Sequence, residues 1–151
     1  IWLGLVGSEM CIRDSMYNVV YIGLWLILST IVIQFFVVTW LHRTQKRYKV
    51  GYIDPELGQA SLLFRAHRTF WNSIENIIPM FGMSLIAILA EYDPKKLSIL
   101  VWLYAIMRIL HMIIYYKIAT EKNPSLRSIP YLFAFFASFY LMCDLGIFLI
   151  F

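Results

Sequence analysis

VVYIGLWLILSTIVIQFFVVTWL, residues 19–41, is a run of 23 side chains without a charge. A helix needs roughly 20 apolar residues to cross a hydrocarbon core of about 30 Å, so this stretch is long enough to span a membrane and too long for a strand of a soluble sheet. Three further stretches repeat the pattern. Ile77–Ala90 is clean, and its pattern extends back through Glu75 and Asn72 to about Ser61; Leu97–Tyr116 is interrupted by Arg108 and His111; Ile129–Phe151 contains Asp144. A transmembrane barrel would show alternating segments of about ten residues instead. The expected fold is an all-α integral membrane protein, a bundle of four transmembrane helices over about 19–41, 61–90, 97–116 and 129–151. Composition agrees: 61% of the 151 residues are hydrophobic, against about 45–50% in soluble domains, and this length suits one domain.

The charge balance, 13 Lys and Arg against 9 Asp and Glu, superficially suggests nucleic acid. The basic residues, however, fall in the connections between apolar runs and not on an amphipathic face. Arg43, Lys46, Arg47, Lys49, Arg65 and Arg68 lie between the first two runs, and Lys117, Lys122 and Arg127 between the last two. Basic connections stay cytoplasmic, which puts both of these inside, in a bacterial inner membrane or the endoplasmic reticulum. Asp54-Pro55, Asp93-Pro94 and Asn123-Pro124 mark turns. Cys11 and Cys143 stand far apart and form no metal-ligand spacing, so no metal site is expected. Val6–Ser15, VGSEMCIRDS, resembles translated sequencing-adaptor sequence. Residues 1–15 are accordingly expected to be a non-native extension, and residues 16–151 the membrane domain.

Ionisable side chains inside a membrane are expensive unless they face a bundle interior or a wet cavity. Arg68, Asn72, Glu75 and Pro79 recur at i, i+4, i+7 and i+11, one face of the second helix; Arg108, His111 and Tyr115 recur at i, i+3 and i+7, one face of the third. The fourth helix begins with Arg127, Ser128 and Tyr131. At about 1.5 Å per residue, all three segments deliver polar groups to one layer on the cytoplasmic side. One reading is interhelical glue, with Glu75 paired to Arg108 and the amides bridging helices; the other is a shared binding site. His67 reads as an interfacial residue, the aromatic run Phe133–Tyr140 as packing, and Asp144 has no functional reading.

Arg68-x-x-x-Asn72-x-x-Glu75-Asn76-Ile77-Ile78-Pro79 resembles the second-helix signature of the MAPEG family, membrane-associated proteins in eicosanoid and glutathione metabolism. Arg108-x-x-His111-x-x-x-Tyr115 resembles its third-helix signature, Arg127-Ser128-Ile129-Pro130-Tyr131 the start of the fourth helix in the prostaglandin E synthase branch, and Asp54-Pro55-Glu56 the Asn-Pro-Glu of the first cytoplasmic loop. The resemblance covers Met16 to the C-terminus. It implies a homotrimer with glutathione bound between subunits near the cytoplasmic side. Carried over by position, Asn72, Glu75, Arg108, His111, Tyr115, Arg127, Ser128 and Tyr131 become glutathione contacts, with Arg43 and Arg68 as further candidates. Trp71 stands where the prostaglandin synthase has an arginine, and Pro130 where it has threonine, which argues against a true prostaglandin synthase.

The residue types suit the ligand. Arginine forks match carboxylates, Glu75 matches an ammonium, and a cation such as Arg127, helped by Ser128 and Tyr131 as donors, favours a thiolate. The expected activity is that of a glutathione transferase or peroxidase acting on lipophilic electrophiles or lipid peroxides. The alternatives are a non-catalytic lipid-binding scaffold, as in one branch of the family, and a small transporter using Glu75 and His111.

Overall fold

No proline lies between Trp2 and Arg43, and the first helix, α1 (Trp2–Arg43), runs the whole distance, well upstream of the apolar run at 19–41. The structure is a computed structural model that describes residues 2–45, 53, 56–122 and 124–151, with side chains from Met16 onward. Lys46, Arg47, Lys49, the Asp54-Pro55 turn, Asn123 and the Cys11 side chain therefore lie outside the described residues. Three more helices follow: α2 (Leu62–Leu89), α3 (Pro94–Lys117) and α4 (Ser128–Ile150). All four, with α1 counted from Met16, are long and apolar enough to cross a membrane.

Local chemistry sets the ends. Ser61 caps α2 by accepting from the Phe64 N–H at 3.5 Å. At the far end of α2 the chain turns at Glu91, whose φ of 58° is left-handed, and the Tyr92 N–H reaches back to the Ala87 carbonyl at 2.9 Å. That six-to-one closure is a Schellman-type stop with glutamate in the place usually taken by glycine. Asp93 then starts α3 at once, accepting from the N–H groups of Lys95 at 2.8 Å and Lys96 at 3.3 Å, while Pro94 fills the first position, where no N–H is needed. This is why α3 begins three residues before the apolar run does. The result is a tight α2–α3 hairpin.

Helix α3 is the centre of the bundle. It packs against α1, α2 and α4; α2 also touches α1 and α4, whereas α1 and α4 do not meet among the described residues. Leu97, Val101, Tyr104 and Ala105 of α3 are buried against Val20, Leu24 and Ile27 of α1, Met80 of α2, and Ala134, Ala137 and Leu141 of α4. Large apolar side chains such as Trp25, Phe36, Trp40 and Ile147 are exposed, the arrangement a lipid solvent demands.

Gly23 marks a close approach of α1 to α3. A Cβ built there would stand 2.7 Å from Val101 Cγ1 and 3.3 Å from Trp102 Nε1, and that indole already donates to the Val19 carbonyl at 3.0 Å. A β-branched valine has little freedom to withdraw. Gly23→Ala is expected to lower stability by about 1–3 kcal/mol, the usual range for overpacking, read as a fall in thermal midpoint in detergent. A midpoint at or above wild type would show that the helices part without penalty.

At the end of the bundle that holds the α2–α3 hairpin, Tyr17 of α1 donates to the Tyr92 carbonyl, the Tyr92 hydroxyl donates to Asp144 of α4, and Lys96 of α3 pairs with Asp144 at 2.8 Å. Burial, and then the hydrogen bond to Asp144, push the Tyr92 phenol up to about 12, so it remains a donor at neutral pH. Asp144 thus has a structural role that the sequence did not disclose: it ties the last helix to the hairpin.

Candidate functional site

The opposite end of the bundle carries Arg43, Lys117, Lys122 and Arg127, and its polar groups are organised by one short segment, residues 59–61. Arg65, buried on the first turn of α2, donates to the Gln59 and Ala60 carbonyls and, at 3.2 Å, to the Tyr116 carbonyl at the end of α3. It thereby answers α3's terminal carbonyls with a cation. The Gln59 side chain then bridges α3 and the start of α4. Its amide nitrogen reaches the Tyr115 hydroxyl at 3.5 Å, and its Oε1 accepts from Arg127 Nη1 at 3.2 Å.

Arg127 is fixed from four directions. Besides Gln59, its Nε donates to Ser125 Oγ and its Nη2 to the Thr120 carbonyl, each at 3.1 Å, and the guanidinium lies over the Tyr115 ring at 4.2 Å. A guanidinium has five N–H groups, so two remain after these three bonds among the described residues. The stacking is worth about 1–2 kcal/mol where water is scarce. Ser128 accepts from the Ser125 N–H at 3.3 Å, which holds its hydroxyl in the same turn.

Two turns deeper along α3 from Tyr115, Arg108 is only 5% exposed. Its Nη2 donates to Asn72 Oδ1 at 2.8 Å and to Ser73 Oγ at 3.1 Å, while its Nη1 has no partner among the described residues. Both acceptors are neutral. His111 sits between the two arginines, its ring 5.6 Å from Tyr115 and 6.0 Å from Tyr131, with Nδ1 unpartnered among the described residues. Arg108 borders two spaces. A cleft of about 150 Å³ between α2, α3 and α4 is walled by Arg108, Asn76, Tyr104 and Ser138 together with apolar side chains such as Phe135 and Phe139. A much smaller cavity, about 10 Å³, lies towards α1 and is also lined by Ser73 and Gln34.

The structure therefore brings together Asn72, Arg108, His111, Tyr115, Arg127, Ser128 and Tyr131. It does not bring Arg43, Arg68 or Glu75 to them within one chain: all three are exposed. The Glu75–Arg108 pair does not form, because Arg108 is turned to Asn72 and Ser73. On α2 the face buried in the bundle is Arg65, Thr69, Ser73 and Ile77, each four residues apart, while the stripe Arg68, Glu75 and Pro79 faces outward. Pro79 has no N–H for the Glu75 carbonyl one turn back, so that carbonyl is also left open.

Three polar side chains of this region escaped the sequence reading. Gln59 sits in a loop with no motif around it. Ser73 had a signal, its four-residue spacing from Thr69 and Arg65. Gln34, 1% exposed and with Oε1 unpartnered among the described residues, had a plainer one as an amide inside an otherwise apolar span.

Among curated proteins and among solved structures, none matches this chain. A family model does, over residues 22–147, which includes the core of all four helices and every candidate residue above. With four helices able to span a bilayer and this match over most of its length, the chain is an integral, multi-pass membrane protein that belongs to the MAPEG family.

Proposed function

We propose that this protein is a glutathione-dependent membrane enzyme of the transferase or peroxidase type, which turns the thiolate of glutathione against lipophilic electrophiles or lipid peroxides. The observation that carries the reading is the setting of Arg127: a rigidly held guanidinium with two uncommitted N–H groups, next to Tyr115, His111 and Tyr131. Family membership supports it, since MAPEG proteins include enzymes that use glutathione with lipophilic substrates.

The residues present fit such a ligand. Arg108 has an unpartnered Nη1 and no carboxylate beside it, a buried positive charge in want of an anion. Glutathione offers two carboxylates, and its thiol supplies the nucleophile. In this reading Arg108 with Asn72 holds a carboxylate, Glu75 takes the ammonium, and Arg127 with Ser128 and Tyr131 keeps the sulfur deprotonated. The mostly apolar cleft beside Arg108 would admit the lipophilic partner.

One chain does not enclose a tripeptide. Its cleft of about 150 Å³ falls short of the 300–1,000 Å³ usual for a ligand site, and Glu75 and Arg68 stand exposed on the outward face of α2. Both facts favour a site completed by a neighbouring subunit, in a homotrimer with its basic end in the cytoplasm. Calorimetric titration of the purified protein with glutathione, alongside its native mass, tests this. Saturable binding by a trimer is expected. A monomer that binds glutathione would remove the shared site; a protein that binds none would leave the scaffold role in place of the enzyme.

A further inference from the structure

A groove of about 390 Å³ runs along the outer seam of α3 and α4, on a different face of α3 from the polar layer. Leu103, Met107, Leu110 and Ile114 of α3 form one wall, and Ile129 and Phe133 of α4 lie on the other. The α3 residues recur at i, i+4, i+7 and i+11, a single helical face. That face is turned by roughly 100° from the stripe Arg108, His111 and Tyr115, at about 100° per residue. Leu110, Ile129 and Phe133 are exposed, so the groove opens sideways, towards lipid. From Leu103 to Ile114 it is about 16 Å long at 1.5 Å per residue, roughly half of a 30 Å hydrocarbon core. It is one leaflet deep.

The chemistry at its mouth is basic. Lys117, the last residue of α3, continues the groove face at i+14, and Lys122 follows in the loop; both are exposed and without an ion pair among the described residues. The acid nearby, Glu121, accepts from the Gln59 N–H at 3.3 Å, and Arg127 is turned inward over Tyr115. Two lysines are thus unneutralised at the depth where a headgroup sits.

We propose that this groove binds one acyl chain of an anionic phospholipid, with the phosphodiester held at Lys117 and Lys122. A concave apolar wall contacts the chain on two sides, where a smooth helix surface would touch it on one. The net charge of the headgroup sets the preference, since a zwitterionic lipid brings its own ammonium to the lysines.

The test is native mass spectrometry of the full protein released from an equimolar mixture of phosphatidylglycerol and phosphatidylcholine of the same chains. Phosphatidylglycerol is expected to dominate the retained lipid. Lys117→Gln and Lys122→Gln should each lower its excess by about fivefold, the effect of one lysine near a charged surface. Leu110→Trp should fill the groove and displace the bound lipid; Met107→Phe serves the same purpose if the tryptophan variant does not fold. Equal retention of the two lipids overturns the proposal. So does a response to the lysines with none to either groove-filling variant, which would show attraction to the surface and no groove site.

Discussion

Arg127→Leu is expected to abolish the ultraviolet absorbance of bound thiolate and to lower activity towards a model aryl halide by roughly one to two orders of magnitude. A free thiol with a pKa near 8.5 is only a few per cent ionised at neutral pH. An adjacent cation lowers such a pKa by about one to three units, which takes the sulfur from mostly protonated to mostly ionised. The sign is fixed: the cation favours the charged form, so its loss moves the titration up and shifts the rising, acid-side limb of activity to higher pH. The geometry makes Arg127 suited to this work. Three of its N–H groups are engaged by Ser125, Gln59 and Thr120, and its plane rests on Tyr115, so the charge cannot swing away as the sulfur ionises. Arg127→Lys is a sharper control than a neutral variant. A lysine keeps the charge but cannot make three directed bonds at once, and it should retain binding while losing part of the thiolate signal. Full thiolate absorbance in Arg127→Leu would move the activating charge elsewhere, with Arg108 or Arg43 next.

The four spans were legible because a membrane imposes one rule on every turn of helix, and each apolar run obeys it without help from distant residues. The layer of polar groups was legible for the same reason in reverse, since an arginine inside Leu97–Tyr116 breaks the rule. Direction was harder. A spacing of i, i+4, i+7 says that Arg68, Asn72 and Glu75 share a face but not which way that face looks, and only about a quarter of a turn separates it from Arg65, Thr69 and Ser73, the residues that turn inward. Helix α2 is polar on both sides, so periodicity alone could not choose between them. Loop partners were invisible for another reason. Gln59 and Thr120 matter through contacts with Arg127 made 68 and 7 residues away, and no local pattern records such a pairing. Asp144 was seen and left without a role, because its partners Tyr92 and Lys96 are brought to it by the α2–α3 hairpin.

Asn72→Leu is expected to destabilise the protein more than Arg108→Met, although arginine is the more drastic residue to lose. Arg108 is a buried cation whose acceptors, Asn72 Oδ1 at 2.8 Å and Ser73 Oγ at 3.1 Å, are neutral, and its Nη1 already lacks a partner. Removing the shorter bond leaves the charge in place with one acceptor. A neutral interhelical hydrogen bond in a membrane contributes about 0.6 kcal/mol on average, but a bond to a charged group contributes about 1.5–3 kcal/mol, and the upper range applies here. Leucine at position 72 recovers a few tenths of a kcal/mol through better helix propensity, too little to change the order. Arg108→Met removes the charge itself, and a buried ionic group replaced by an apolar side chain of similar length is often tolerated. Asn72 is half-buried, so its amide can turn towards the cleft beside Asn76 once the arginine is gone. Thermal unfolding of both variants and of the double variant in one detergent separates the two cases. In the double variant the penalty of Asn72→Leu should largely vanish, because no charge remains to be left without its acceptor. Additive losses, or a larger loss for Arg108→Met alone, would mean that Asn72 supports the bundle by packing and that the guanidinium draws its stability from elsewhere.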